Sequence, residues 1–174
     1  EYIPGLYKIF DEVLVNAIDQ HVRIENDEQI KHKVSEIKVN LDREKNKFSV
    51  YNNGIGIPIV EHQEHKIYIP ELIFGNLLTS SNYDKDEKKI TGGKNGYGAK
   101  LANIFSTKFK ITTVDHEKKL KYVQTFEKNM NIKNKPIISK CSEKPYTLIE
   151  FEPDLERFKI DNINSDTISL MKKR

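Results

Sequence analysis

The stretch Gly92-Gly93-Lys94-Asn95-Gly96-Tyr97-Gly98-Ala99-Lys100 leads straight into a segment of helical character that ends near Ser106. A glycine-rich loop at the start of a helix lets backbone N–H groups point at an anion, where the helix dipole also favours negative charge. No Gly-Lys-Ser or Gly-Lys-Thr closes the loop and no strand directly precedes it, so it is neither a P-loop nor a dinucleotide-binding turn. We interpret the stretch as a phosphate cradle, with a flexible surface turn as the alternative.

A predicted helix near the N-terminus carries a polar stripe. Apolar residues recur at helical spacing from Leu6 to about Gln20, which predicts an amphipathic helix. Glu12, Asn16 and Asp19 fall together on its other side. A carboxylate in this position can take a proton from water, and a carboxamide oxygen is a suitable ligand for Mg²⁺. A solvated helix face is the alternative interpretation.

A β-hairpin is predicted next, and its second strand ends in a polar residue. Residues 37–41 and 48–52 alternate as two antiparallel strands around a polar turn. Asn52 lies on the same face as the apolar Phe48, so its amide is aimed at the core and needs a hydrogen-bond partner. The edge of a purine offers such a donor and acceptor, and the following Gly54-Ile55-Gly56 allows close backbone approach by a flat ligand. An ordinary Asn-Gly turn is the alternative.

The order of the remaining segments indicates the fold class. Residues 53–98 form a long insert with seven of the eight glycines and a predicted short helix at 70–74. Residues 21–33 are predicted to be a loop, and the tail after Asp161 has little pattern. Three further strands are predicted, at residues 109–114, 119–126 and 147–151. Helix, hairpin, insert, helix and strands in this order favour an α+β fold with two layers.

Composition limits the function classes without naming one. The 174 residues suit one domain, and 37% hydrophobic with 32% charged residues indicates a globular chain. A net charge of +3 is too small to indicate nucleic-acid binding. The single Cys141 excludes an internal disulfide and favours a reducing compartment, and no Cys/His spacing predicts structural zinc. We expect no membrane span or signal peptide, and we expect the chain to be a piece of a longer polypeptide.

Three separated motifs in this order resemble the GHKL, or Bergerat-fold, ATPase superfamily. Its boxes correspond to Glu12-x-x-x-Asn16, Asn52-x-Gly54-x-Gly56 and Gly93-x-x-Gly96-x-Gly98. Residues 4–12, 77–83 and 96–101 are similar to the ATPase domain of eukaryotic DNA topoisomerase II, over about residues 3–160. The resemblance implies a two-layer sandwich with a mixed, mainly antiparallel sheet covered by helices on one face. It also implies one ATP-binding domain over residues 1–174, without the family's N-terminal strap or C-terminal transducer.

The resemblance implies a role for each motif residue. Glu12 would deprotonate the attacking water, Asn16 would hold Mg²⁺, and Asn52 would bind adenine, although most of the superfamily has Asp there. The ATP-binding set also includes residues of the insert and the glycine-rich loop: Ser80, Ser81, Asn82, Gly93, Lys94, Asn95, Gly96, Tyr97, Gly98, Ala99 and Lys100. Gln124-Thr125 is followed by Phe126, so it is not the transducer loop that contacts the γ-phosphate. We therefore expect nucleotide binding with little or no turnover.

The resemblance also implies partners. We expect ATP or an ATP-competitive inhibitor as ligand, a homodimer in the full-length enzyme, DNA bound mainly by other domains, and a nuclear location. Within the fold, the alternatives are a gyrase-type subunit, a MutL-like repair ATPase or a heat-shock chaperone. Outside it, the alternative is a non-catalytic nucleic-acid-binding module with a basic strip, composed of Lys85, Lys88, Lys89, Lys94 and Lys100.

Overall fold

The computed structural model describes residues 2–25, 28–29, 31–76 and 98–174. Among them, the α-helices are α1 (Pro4–Glu25), α2 (Ile69–Phe74), α3 (Gly98–Ile104) and α4 (Ser165–Lys173). The strands are β1 (Ile37–Asp42), β2 (Lys47–Asn53), β3 (Ser106–Asp115), β4 (Leu120–Glu127), β5 (Ile132–Lys133), β6 (Ile137–Lys140) and β7 (Tyr146–Pro153). Several predicted site residues lie outside the described residues: Ser80, Ser81, Asn82, Gly93, Lys94, Asn95, Gly96 and Tyr97.

The strands form one sheet in the order β1-β2-β7-β3-β4-β5, with β6 also paired to β4. Every pairing between these strands is antiparallel. The predicted hairpin is confirmed as β1 and β2, and Asn52 is buried with Phe48. The predicted α+β sandwich with a mainly antiparallel sheet is therefore confirmed.

Aromatic side chains join the helices to one face of the sheet. Phe48, Phe151 and Phe109 are cross-strand neighbours on β2, β7 and β3. The Phe10 ring of α1 lies 5.5 Å from the Phe48 ring, and the Phe74 ring of α2 lies 5.9 Å from that of Phe109. All five rings are buried, so this row is the centre of the core.

Helix α1 is longer than predicted. The prediction ended it near Gln20 and made residues 21–33 a loop, but the helix continues to Glu25. No glycine or proline follows Gly5 until Gly54, so nothing in the sequence forces the helix to stop near Gln20. The His21 ring Nδ1 also lies 2.9 Å from the Val34 carbonyl oxygen, which joins the extra turn to the segment before β1.

The second half of the chain differs from the prediction in three places. Helix α3 ends at Ile104 rather than Ser106, because the Ser106 hydroxyl donates to the Ala102 carbonyl and β3 begins there. Strands β5 and β6 were not predicted, since each is short and pairs only along β4. Helix α4 was also not predicted, although the Asn164 side chain accepts from the Thr167 N–H as an N-cap. Among the described residues, no helix is both long and apolar enough to span a membrane.

Candidate nucleotide-binding site

A row of polar side chains closes the core at one end of the sheet. Asn52 is paired in register with Thr147 of β7, and Thr147 with Thr113 of β3. The three side chains are 3%, 5% and 0% exposed. Because strand side chains alternate, this row lies on the helix-covered face, two rows beyond the phenylalanines. Polar groups at this depth require hydrogen-bond partners, which a ligand can supply in part.

Thr113 connects the row to the Gly-x-Gly segment. Its hydroxyl accepts from the Ile57 N–H at 2.9 Å, donates to the Tyr146 carbonyl at 3.1 Å and lies 3.1 Å from the Thr147 hydroxyl. A Cβ built on Gly56 would lie 1.9 Å from the Val114 carbonyl oxygen. The absent side chain at Gly56 therefore lets the segment pack against β3, and close approach by a ligand at this glycine stays a prediction.

Gly54 also has a structural reason to be glycine. Its φ is +101°, and a Cβ there would lie 2.5 Å from the Val34 side chain. The neighbouring Asn53 holds the same region, because its side-chain oxygen accepts from the N–H groups of Ser35 and Glu36, both at 2.9 Å. These contacts fix the chain directly after β2, where the Asn52 side chain donates to the Asn53 carbonyl at 3.0 Å.

The Glu12 side chain of α1 lies against the start of α3. A Cβ built on Gly98 would lie 1.7 Å from Glu12 Oε2, so the carboxylate fills the space beside this glycine. Glu12 Oε1 also lies 2.6 Å from Lys8 Nζ one helical turn away. This hydrogen bond and the charge of Glu12 raise the pKa of Lys8. The structure thus brings together the first and third predicted motifs through Glu12 and Gly98.

The remaining predicted residues lie on the same two helices. Asn16 is exposed one turn after Glu12 on α1, and Asp19 is half-buried on the same stripe. Ala99 and Lys100 of α3 are buried. A buried Lys100 cannot belong to an exposed basic strip, and the four other lysines of the nucleic-acid-binding alternative lie outside the described residues.

Comparison with known proteins assigns this arrangement to a family. A model described as "Histidine kinase-, DNA gyrase B-, and HSP90-like ATPase" matches residues 1–156. The chain belongs to this ATPase family. Within the family, the chain is 54% identical over 174 residues to DNA topoisomerase 2 of Pisum sativum, with 99% of this chain and 11% of that protein covered. It is 51% identical over 173 residues to DNA topoisomerase 2-beta of Homo sapiens, with 99% and 10% covered.

Solved structures of this ATPase family agree. The ATPase region of Saccharomyces cerevisiae topoisomerase II superposes with a TM-score of 0.86 at 50% identity, covering 99% of this chain and 44% of that one. The 43K ATPase domain of Thermus thermophilus gyrase B has the same fold, with a TM-score of 0.71 at 20% identity over 97% of this chain and 39% of that one. The resemblance inferred from the motifs is confirmed. The chain spans about a tenth of the length of these curated relatives.

Two buried threonines continue the row that begins at Asn52, and sequence reasoning did not single them out. The sequence gives Thr147 and Thr113 as residues of two predicted strands, and nothing in either strand alone distinguishes them. The register places Thr147 beside Asn52, and Thr113 beside Thr147, in one row across three strands. Only the pairing of β2 with β7 and of β7 with β3 brings these residues together, and the alternation within a single strand does not contain that information.

Proposed function

We propose that the chain is the ATP-binding domain of a eukaryotic-type DNA topoisomerase II, with residues 1–174 forming one domain. The observation that supports it most strongly is the position of the Glu12 carboxylate against Gly98, at the start of the helix that follows the glycine-rich loop. A general base next to a triphosphate site is the arrangement that ATP hydrolysis needs. The 54% identity to DNA topoisomerase 2 of Pisum sativum supports the finer assignment.

The adenine end of the proposed site is the polar row. The Asn52 carboxamide can accept from the adenine amino group and donate to a ring nitrogen, as Asp cannot. The Thr147 hydroxyl lies next to it in register and offers one further donor and acceptor. Because Asn52 is only 3% exposed, a base that contacts it is shielded from water, which strengthens each hydrogen bond.

The phosphate end combines α1 with residues 93–100. Glu12 would accept the proton of the attacking water, and its Oε1 is held 2.6 Å from Lys8 Nζ. Asn16 fits a magnesium site, because its amide oxygen is a hard donor on an exposed position one turn from Glu12. When bound, Mg²⁺ would neutralise charge on the phosphate oxygens. We assign Ser80, Ser81, Asn82 and the glycine-rich loop to ribose and phosphate contacts.

The proposal extends to the protein of which this domain is a part. ATP binding would drive dimerisation of two such domains, DNA would be bound mainly by other domains, and the enzyme would act in the nucleus. We expect this chain to bind ATP or a competitive inhibitor with little or no turnover of its own. The related yeast ATPase region, 49% identical over 99% of this chain, has been solved bound to ICRF-187 (dexrazoxane), which supports ligand binding by this fold.

Calorimetric titration with a non-hydrolysable ATP analogue, with and without Mg²⁺, tests the proposal. Asn52→Leu should weaken binding at least about fivefold, because two hydrogen bonds of about 0.5–1.5 kcal/mol each are lost. The matched control is Asn40→Leu, the same change at an exposed position on β1. Asn16→Ala should remove the gain in affinity that Mg²⁺ provides. Unchanged affinity of the Asn52 variant would reject the adenine contact.

A further inference from the structure

The turn between β2 and α2 carries a cluster of metal-binding side chains. His62, Glu64 and His65 each offer one ligand atom, and these atoms all lie within 4.8 Å of one another. It is the one such group of three among the described residues. None of the three belongs to the proposed nucleotide site, and the cluster lies on a different segment from α1, α3 and the polar row.

Backbone contacts hold the three side chains on a short, closed turn. The His62 N–H donates to the Ile67 carbonyl at 2.8 Å, and the Lys66 N–H donates to the His62 carbonyl at 3.0 Å. Lys66 has a φ of +55°, and Glu61 and Tyr68 form an antiparallel bridge at the base of the turn. The backbone of the turn is therefore fixed, and only rotation of the three side chains is needed to adjust the distances between their ligand atoms.

The ligand set favours a transition metal over Mg²⁺. Two imidazole nitrogens and one carboxylate oxygen suit Zn²⁺, Cu²⁺ or Ni²⁺, whereas Mg²⁺ takes oxygen ligands. Zinc bonds of about 2.0–2.2 Å place tetrahedral ligand atoms roughly 3.3–3.6 Å apart. The ligand atoms of the cluster lie within 4.8 Å of one another, which exceeds the separation in a zinc site by about 1.5 Å at most. Side-chain rotation covers this difference.

The two imidazole rings already face each other. Their centroids are 4.8 Å apart with an interplanar angle of 28°, and His62 Nδ1 lies 3.4 Å from the His65 N–H. That weak contact leaves Nε2 as the nitrogen of His62 suited to a metal. Both histidines are half-buried and Glu64 is exposed, so one side of the cluster faces water. Water can therefore complete the coordination.

We propose that His62, Glu64 and His65 form a three-ligand site for one Zn²⁺ ion, with solvent in the remaining position. A bound ion would cross-link the turn that leads into α2. Ile69, the first residue of that helix, is already tied back because its N–H donates to the Val60 carbonyl at 2.9 Å. The ion would therefore stabilise the path of the chain into α2 without contacting the nucleotide.

The chain contains its own control for histidine pairs that lack a carboxylate partner. The rings of His32 and His116 are 4.6 Å apart, a spacing similar to that of His62 and His65. They belong to no group of three ligands among the described residues. His116→Ala therefore removes a paired imidazole and leaves the proposed site complete.

Zinc titration of the chain against a chromophoric chelator tests the proposal, with Cys141→Ser as the background to remove the thiol. We expect one tight equivalent of Zn²⁺. His65→Ala and Glu64→Gln should each weaken it at least about tenfold, because loss of an outer-shell partner alone typically costs 10- to 100-fold. His116→Ala should leave the affinity unchanged. Co²⁺ added instead should give visible absorption that His65→Ala removes.

Two results would overturn the proposal. One is a chain that binds Zn²⁺ no more tightly than its His62→Ala/His65→Ala double variant. The other is a loss of affinity in His116→Ala equal to that in His65→Ala, which would assign the ion to the other histidine pair. Far-UV circular dichroism of each variant shows whether the fold is retained, so that unfolding is not mistaken for the loss of a ligand.

Discussion

The Glu12 carboxylate fills the space that a side chain at the position of Gly98 would need. A Cβ on residue 98 would lie 1.7 Å from Glu12 Oε2 and 2.4 Å from Glu12 Cδ, so the carboxylate touches the backbone where α3 begins. The atoms in conflict belong to the end of a flexible side chain. A substitution at this glycine therefore displaces the acid and leaves the backbone in place.

Gly98→Ala should for this reason separate stability from catalysis. We expect the free energy of unfolding to change by less than about 1 kcal/mol, because Glu12 can rotate into solvent. ATP hydrolysis by the full-length enzyme should fall about 100-fold, since a misplacement of about 1 Å can cost that much. Urea unfolding and a phosphate-release assay measure the two quantities. Hydrolysis at the parent rate would show that the position of Glu12 against Gly98 does not matter.

Gly56→Ala should have the opposite signature. The new Cβ would lie 1.9 Å from the Val114 carbonyl oxygen and 2.7 Å from the Val114 carbonyl carbon, so backbone rather than a side chain must move. We expect a loss of about 1–3 kcal/mol in the free energy of unfolding, as for other overpacked sites. Gly98→Ala is the matched control in the same urea experiment, and equal stability of the two variants would contradict this difference.

The polar row shows what the sequence can and cannot predict. The alternation of β2 is enough to place Asn52 with Phe48 on the buried face, because side chains on a strand repeat every second residue. The partnership of Asn52 with Thr147 depends on the register between strands almost a hundred residues apart, which no local pattern contains. The packing of Gly54 against Val34 and of Gly56 against Val114 also depends on contacts between distant segments, which the Gly-x-Gly spacing alone does not reveal.

Helix α4 was missed for a related reason. It has nine residues and buries Thr167 and Met171, so it is shorter than the window over which apolar periodicity gives a clear signal. Its position depends on tertiary contacts instead, among them the ion pair of Arg174 with Asp11 of α1 at 2.5 Å. The N-cap at Asn164 is a readable signal, but a single capping residue before so short a segment does not by itself predict a helix.

Asn103 joins the two helices that flank residues 77–97. Its side-chain N–H donates to the Phe74 carbonyl at 3.0 Å, and it is fully buried. Asn103→Ala should lower the free energy of unfolding by about 1–3 kcal/mol, because the Phe74 carbonyl is left buried without that donor. Asn131→Ala is the control. It loses a comparable bond, 2.7 Å to the Lys128 carbonyl, at an exposed position, and should cost less than about 0.5 kcal/mol. Equal losses in urea unfolding would contradict the role of burial.

Tyr122 should make the fold sensitive to alkaline pH. It is fully buried, and its hydroxyl donates to the Gln124 side-chain oxygen at 2.5 Å. Gln124 in turn donates to Glu71 Oε2 at 3.1 Å and to the Asn134 carbonyl at 3.0 Å. Burial, with a smaller contribution from the charge of Glu71, raises the pKa of Tyr122 well above its ordinary value of 10.0.

The sign of the pH effect follows from that shift. Below pH 10 the phenol is neutral in both the folded and the unfolded chain, and its contribution to stability is fully present. Above pH 10 the unfolded chain releases the proton and the folded chain retains it, so the free energy of unfolding falls by up to about 1.4 kcal/mol per pH unit. Tyr122→Phe should be less stable at pH 8, because the Gln124 oxygen loses its donor, yet it should lose less stability between pH 9.5 and 11 than the parent chain. The free energy of unfolding of both chains is measured by urea unfolding over this pH range. An equal loss of stability in the two chains would show that Tyr122 does not carry the effect.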